Sequence, residues 1–135
     1  MTRSERTDAD LLDRLSGYER VVEVGVGRRH EVAAALVEAD VAVTATDVHD
    51  RSVPDGIEFV LDDVVDPTLS VYADADAIYA LNLPPELHRP TAAVADAVEA
   101  DFLFTTLGGD QPEVPVEREP LSTQPLFVRT RRTTD

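Results

Sequence analysis

Cysteine and lysine are both absent from the 135 residues, and nowhere do about 18 apolar residues run together. Without cysteine, disulfides, thiolate metal sites and cysteine nucleophiles are excluded, and any metal would have to be held by histidine and carboxylates. His30, His49 and His88 are too dispersed for that, so no metal site is expected and each reads as a solvated surface histidine. Without a long apolar run no membrane span is expected. The beginning, Met1-Thr2-Arg3-Ser4-Glu5-Arg6, leads into charge rather than into an apolar signal region. A soluble, cytoplasmic protein is the expectation. The length suits one domain, 1–135, with chain enough to bury a single core and little room for a second.

Positive charge is scarce as well. Acidic residues number 27 against 12 basic ones, all of them arginine, for a net charge of -15. Such an excess repels a phosphate backbone and works against the compact state through self-repulsion. Molar salt, at which the Debye length falls to about 3 Å, would screen it; a basic partner would neutralise it. The acids are scattered along the whole chain rather than gathered in a tail, which fits general adaptation to salt better. No basic patch recommends nucleic acid, since Arg118, Arg129, Arg131 and Arg132 form only a loose cluster.

What the chain does have is Val21-Val22-Glu23-Val24-Gly25-Val26-Gly27-Arg28-Arg29. The valines suit a buried strand, and Gly25 and Gly27 permit a tight turn that puts no side chain between backbone and ligand. Residues 30–37 then read as a helix whose unpaired N–H groups point back into the turn. Strand, glycine turn and helix together make a mononucleotide-binding crevice.

The other segments arrange themselves around that crevice. Residues 4–17 carry Leu11, Leu12 and Leu15 at helical spacing, with Gly17 at the stop. Strands are expected at 41–46, 57–61, 77–81 and 101–107, with a loop or short helix at 66–72 and a helix begun by Pro84-Pro85. Residues 20–107 form the core, and 108–135 a loop-rich tail with an edge strand at 126–130 and fraying from Arg131. This alternation predicts an α/β domain with one doubly wound, mostly parallel sheet of about five or six strands and helices on both faces. Ligands in such sheets bind beyond the carboxyl ends of the strands, where Glu23, Asp47, Asp62, Asp63 and Asn82 all fall.

Asp47 lies roughly 20 residues beyond Gly27, the spacing at which a carboxylate can accept from both ribose hydroxyls; taken singly such a residue is more often a helix or turn cap, and the glycine turn upstream reverses that. A dinucleotide fingerprint needs a third glycine where His30 stands. Glu23 is unwelcome beside a pyrophosphate and suits a cationic amino group. These features disfavour a nicotinamide dinucleotide and favour S-adenosylmethionine. Arg28 and Arg29 put two cations at a helix N-terminus and require an anion nearby, either a ligand's or that of Glu23 and Glu31.

The run from Val22 to Gly27 resembles the first motif of Rossmann-like S-adenosylmethionine-dependent methyltransferases, whose third glycine would fall at Arg29. The resemblance implies that Glu23, Gly25, Gly27 and Asp47 hold the cofactor, with Asp62 or Asp63 near its adenine. It also sets Asn82-Leu83-Pro84-Pro85-Glu86 where one branch carries a catalytic Asn-Pro-Pro-aromatic motif, implying roles for Asn82, Pro84 and Glu86. Leu83 is inserted there and Glu86 replaces the aromatic; on the residues alone, Asn82 capping a helix begun by the prolines is the other reading. Over nearly its full length the chain resembles one family of small archaeal proteins of this fold, uncharacterised protein family 0146. That likeness rests also on Thr46-Asp47, on Asp62-Asp63, on Pro84-Pro85-Glu86-Leu87 and on Leu107-Gly108-Gly109. The expected function is therefore S-adenosylmethionine or S-adenosylhomocysteine binding, with methyl transfer to an unspecified acceptor. The alternative is a non-catalytic nucleoside-binding or interaction module that has lost the chemistry. With no appended domain to select a substrate, a protein partner or homo-oligomer would have to supply specificity.

Overall fold

A computed structural model describes residues 1–131; the chain end, with Arg132 and most of the fraying expected from Arg131, lies outside the described residues. β1 (Arg20–Val24), β2 (Ala42–Asp47), β3 (Ile57–Leu61), β4 (Ala77–Ala80) and β5 (Asp101–Phe104) are parallel. β6 (Glu117–Pro120) and β7 (Pro125–Arg129) form an antiparallel pair, and β7 lies antiparallel on β5. The strand order is β3-β2-β1-β4-β5-β7-β6. From β1 the chain steps outward through β2 to β3, then returns to lay β4 on the other side of β1. That reversal opens a crevice between the carboxyl ends of β1 and β4.

Strand alternation assigns the two faces. Val21 and Leu103 pack with Leu11, Leu15, Val32 and Leu36 of α1 (Arg3–Leu15) and α2 (Glu31–Glu38). Val22, Val24, Phe102 and Phe104 pack on the opposite face with Ala92, Val94 and Ala95 of α3 (His88–Val98). α1 begins with a reciprocal cap, the Glu5 N–H donating to the Thr2 hydroxyl and the Thr2 N–H to the Glu5 carboxylate. Gly56, at φ +92°, brings the turn before β3 so close to α2 that a Cβ there would stand 2.7 Å from the Val37 methyl.

The sheet has seven strands because Glu117–Pro120 pairs with β7, making β7 an interior strand rather than the edge. No apolar alternation marks that segment; the open side of β7 recruits it, and its charges and terminal proline discourage further pairing. β5 stops at Phe104; the Thr105 N–H still donates to the Ala80 carbonyl, while its hydroxyl and carbonyl accept from the Asn82 and Leu83 N–H groups. His88 is not a surface residue. It is fully buried against Phe104, accepting at Nδ1 from the Glu113 N–H while its Nε2 meets the Leu83 carbonyl. It thereby locks the tail to the start of α3. Among the described residues no helix is long and apolar enough to cross a membrane.

Candidate functional site

The glycine turn closes the β1 end of the crevice. Gly25 and Gly27 have φ +68° and +60°, in the left-handed region where a side chain is strained. A Cβ on Gly25 would meet nothing within 4 Å, so the space above its backbone is open. The turn is strapped to β2: the Val26 N–H donates to the Thr46 carbonyl at 3.0 Å, and the Gly27 N–H to Asp47 Oδ2 at 2.9 Å. His30, in the third-glycine place, is no obstruction. Its ring folds back so that Nε2 lies 2.9 Å from the Gly27 carbonyl, which makes it a strut of the turn rather than a solvated histidine.

Two carboxylates flank the turn in opposite electrostatic states. Glu23 is 2% exposed, and its Oε1 accepts from the Tyr79 hydroxyl at 2.7 Å. Burial pushes its pKa up to about 8, against the Tyr79 hydrogen bond and with help from the charges of Asp8 and Glu31. Asp47 is also buried, which taken alone would raise it. The N–H groups of His49 and Gly27 and the Arg51 guanidinium outweigh that and hold its carboxyl below the usual range. Arg51 Nε stands 3.4 Å from Asp47 Oδ2, and this buried atom has no hydrogen-bond partner.

A cleft of about 170 Å³ joins Glu23, Gly25, Gly27 and Arg28 to Asn82. Another, about 140 Å³, continues from Asn82 to Arg3, Thr7, Thr105 and Gln124; Asp8 and Arg29 border both. Arg29 lies 3.4 Å from Asp8 and 3.6 Å from Glu31, so its anions are the chain's own. A larger hollow, about 310 Å³, lies at Arg20, Ala42 and Glu58 in the amino-terminal halves of the strands, away from the crevice. The ligand edge of a doubly wound sheet is the other one.

Other residues singled out from the sequence are distributed unevenly. Asn82, at φ +54°, is exposed between the two clefts with its N–H on the Thr105 hydroxyl. It caps no helix. Pro84 precedes a 3-10 turn, Pro85–Leu87, and neither it nor Glu86 borders either cleft. The inserted Leu83 is buried in the α3-side core. Asp62 accepts from the Tyr72 hydroxyl and the Thr68 N–H, while exposed Asp63 accepts from the Val65 N–H. Tyr79 and Arg51 carry no sequence signal: the first reads as core strand, the second as one more surface arginine.

Seven strands in this order, with a glycine turn after β1 and an acid ending β2, define the Rossmann-like fold of S-adenosylmethionine-dependent methyltransferases. An RNA methyltransferase from Salinibacter ruber, solved with S-adenosyl-L-homocysteine, superposes with a TM-score of 0.64 at 12% identity, covering 100% of this chain and 95% of its own. An O-methyltransferase family protein from Burkholderia thailandensis superposes at 0.67 with 10% identity, over 98% of this chain and 57% of that one. These likenesses concern the fold. Residues 7–131 match the Uncharacterised protein family (UPF0146), and the chain belongs to it. A UPF0146 protein of Halobacterium salinarum is 53% identical over 115 residues, 84% of this chain and 89% of the relative.

Proposed function

We propose that the crevice binds S-adenosylmethionine or S-adenosylhomocysteine and that Asn82 positions a methyl acceptor beside it. The observation that carries the reading is Asp47 at the carboxyl end of β2, held ionised by the Gly27 and His49 N–H groups and by Arg51 beside the glycine turn. A ribose hydroxyl would donate to the carboxylate oxygens that the backbone leaves free. An ionised carboxylate offers about four lone-pair sites, and backbone N–H groups take two here, so acceptors remain for the sugar. The open backbone at Gly25 gives the methionine portion room, and Glu23, bordering the cleft, suits its ammonium group. Val48 and Leu61 at the ends of β2 and β3, and Val65 in the loop beyond β3, each more than half exposed, offer an apolar bed for the base, with Asp63 close by in sequence.

The bound cofactor supplies an activated methyl group. The chain's task is to hold an acceptor in line with it, so positioning is the main contribution. The position of Asn82 on both clefts supports giving it that task. Pro84 and Glu86 lie off the clefts, which favours as second reading a nucleoside-binding module without transfer. The acidic excess supports adaptation to molar salt, as does the Halobacterium relative.

Calorimetric titration in molar potassium chloride with S-adenosylmethionine, S-adenosylhomocysteine and NAD tests the reading. Saturable binding of the first two, lost in Asp47→Ala and kept in Asn82→Ala, is expected. Absence of binding at millimolar ligand would sink it. A chain that binds both ligands and transfers no methyl group to any acceptor class supports the second reading.

A further inference from the structure

The wall of the crevice beyond β5 departs from the rest of an anionic molecule. Arg14, Arg29, Arg51, Arg89, Arg129 and Arg131 each lie against a carboxylate. Among the described residues Arg3, Arg6, Arg20, Arg28 and Arg118 do not, although acidic residues outnumber basic ones 27 to 12, and of these Arg3 and Arg118 come together. These two guanidiniums border one hollow of about 340 Å³, walled by Gly108, Gly109, Thr106 and Gln111. Neutral groups hold both in place. Arg3 Nη2 donates to the Thr123 carbonyl at 2.5 Å; Arg118 Nη2 donates to Gln111 Oε1 at 2.9 Å, and its guanidinium lies 5.2 Å from the Phe127 ring centre. Asp110 is the one carboxylate on the lining, and it is exposed. A neutral acceptor orients a guanidinium without discharging it, so the remaining N–H groups keep their preference for an oxyanion. Gly108, at φ +63° with open space where a Cβ would stand, leaves that wall bare.

We propose that this hollow binds the oxyanion group, carboxylate or phosphate, of a small molecule whose other end reaches Asn82. Arg3 and Gln124 border both this hollow and the cleft at Asn82, so one small molecule spans the two. That this molecule is the methyl acceptor rests on the reading given above; the anion site itself does not. Nucleic acid is a poorer occupant, because a phosphate chain seeks many cations and the chain as a whole carries a net charge of -15.

Titrating the ¹⁵N-labelled 135-residue chain with potassium phosphate, and separately with potassium acetate, at constant ionic strength set by potassium chloride, tests this. Saturable shifts of the Arg3 and Arg118 Nε–H signals and of the Gly108 and Gly109 amides are expected, the tighter of the two ions telling phosphoester from carboxylate. The dissociation constant rises about tenfold in Arg118→Gln. It recovers in Arg118→Lys and is unchanged in Arg89→Gln, whose guanidinium lies 3.7 Å from Glu113 outside the hollow. Non-saturating shifts, or equal affinities in all variants, overturn the proposal. Tight, steeply salt-dependent binding of oligothymidylate also overturns it and gives the hollow to nucleic acid. Repeating the titration with S-adenosylhomocysteine present separates the two readings: phosphate or acetate binding without nucleoside binding upholds the hollow alone, and the converse sinks it alone.

Discussion

The crevice has two halves that treat charge differently. Beyond β1 and β2 carboxylates pair with Arg29 and Arg51, and Asp47 is wired into the backbone, holding Gly27 and His49 by their N–H groups. Beyond β5 and β7 lie guanidiniums, held by a carbonyl and an amide oxygen on exposed side chains. In the first half the carboxylate proposed to meet a ligand also builds the turn. In the second the groups are mounted on a finished scaffold. Binding and folding should therefore be coupled on one side and separable on the other.

The largest effect should come from Asp47→Ala, which leaves two N–H groups without an acceptor and Arg51 without its anion. A loss of about 3 kcal/mol in urea unfolding is expected, together with loss of S-adenosylhomocysteine binding. Retained stability would break the comparison on its stronger side. Glu23 should show itself through pH. Its folded pKa, about 8, lies above the ordinary carboxyl value, so its contribution to stability is present at acid pH and is lost as pH rises from about 5 through 8. Unfolding free energy measured across that window should fall, by at most about 1.4 kcal/mol per pH unit, and Glu23→Gln should flatten the slope. An ammonium ligand favours the ionised form, so affinity should rise over the same window in the parent chain and not in the variant. Gly25→Ala meets no atom but strains a left-handed backbone, costing about 1 kcal/mol while narrowing the space above the turn. A thermal melt and a titration should thus disagree about its severity. Smallest of all, Arg3→Gln and Arg118→Gln should move the unfolding free energy by no more than about 0.5 kcal/mol. A destabilisation there as large as that of Asp47→Ala would show that the two halves do not differ in kind.

How much could be read beforehand follows the same division. The glycine turn, the acid closing β2 and the parallel strands are local or near-local patterns, and each stands within a residue or two of its expected place apart from the early end of β5. The tail was harder. Glu117–Pro120 has no strand signature, because its pairing is induced by the open side of β7, and His88 has no core signature, because its polar ring is satisfied by Leu83 and by Glu113, far along the chain. Asn82 followed by an inserted leucine has two readings on paper. In three dimensions Leu83 drops into the core, Asn82 stays between the clefts, and Pro84 and Glu86 are carried off them.

By itself the sequence determined the doubly wound sheet and the crevice at the end of β1, because strand and helix periodicity and positive-φ glycines act over a few residues. Only the tertiary structure decided the chemical state of the groups around that crevice. The Tyr79 hydroxyl comes to Glu23 across 56 residues of chain, Arg51 stops short of a full hydrogen bond to Asp47, and Arg3 finds Thr123 from 120 residues away. Burial, partner and uncompensated charge are properties of neighbours in space, and packing alone chooses those neighbours.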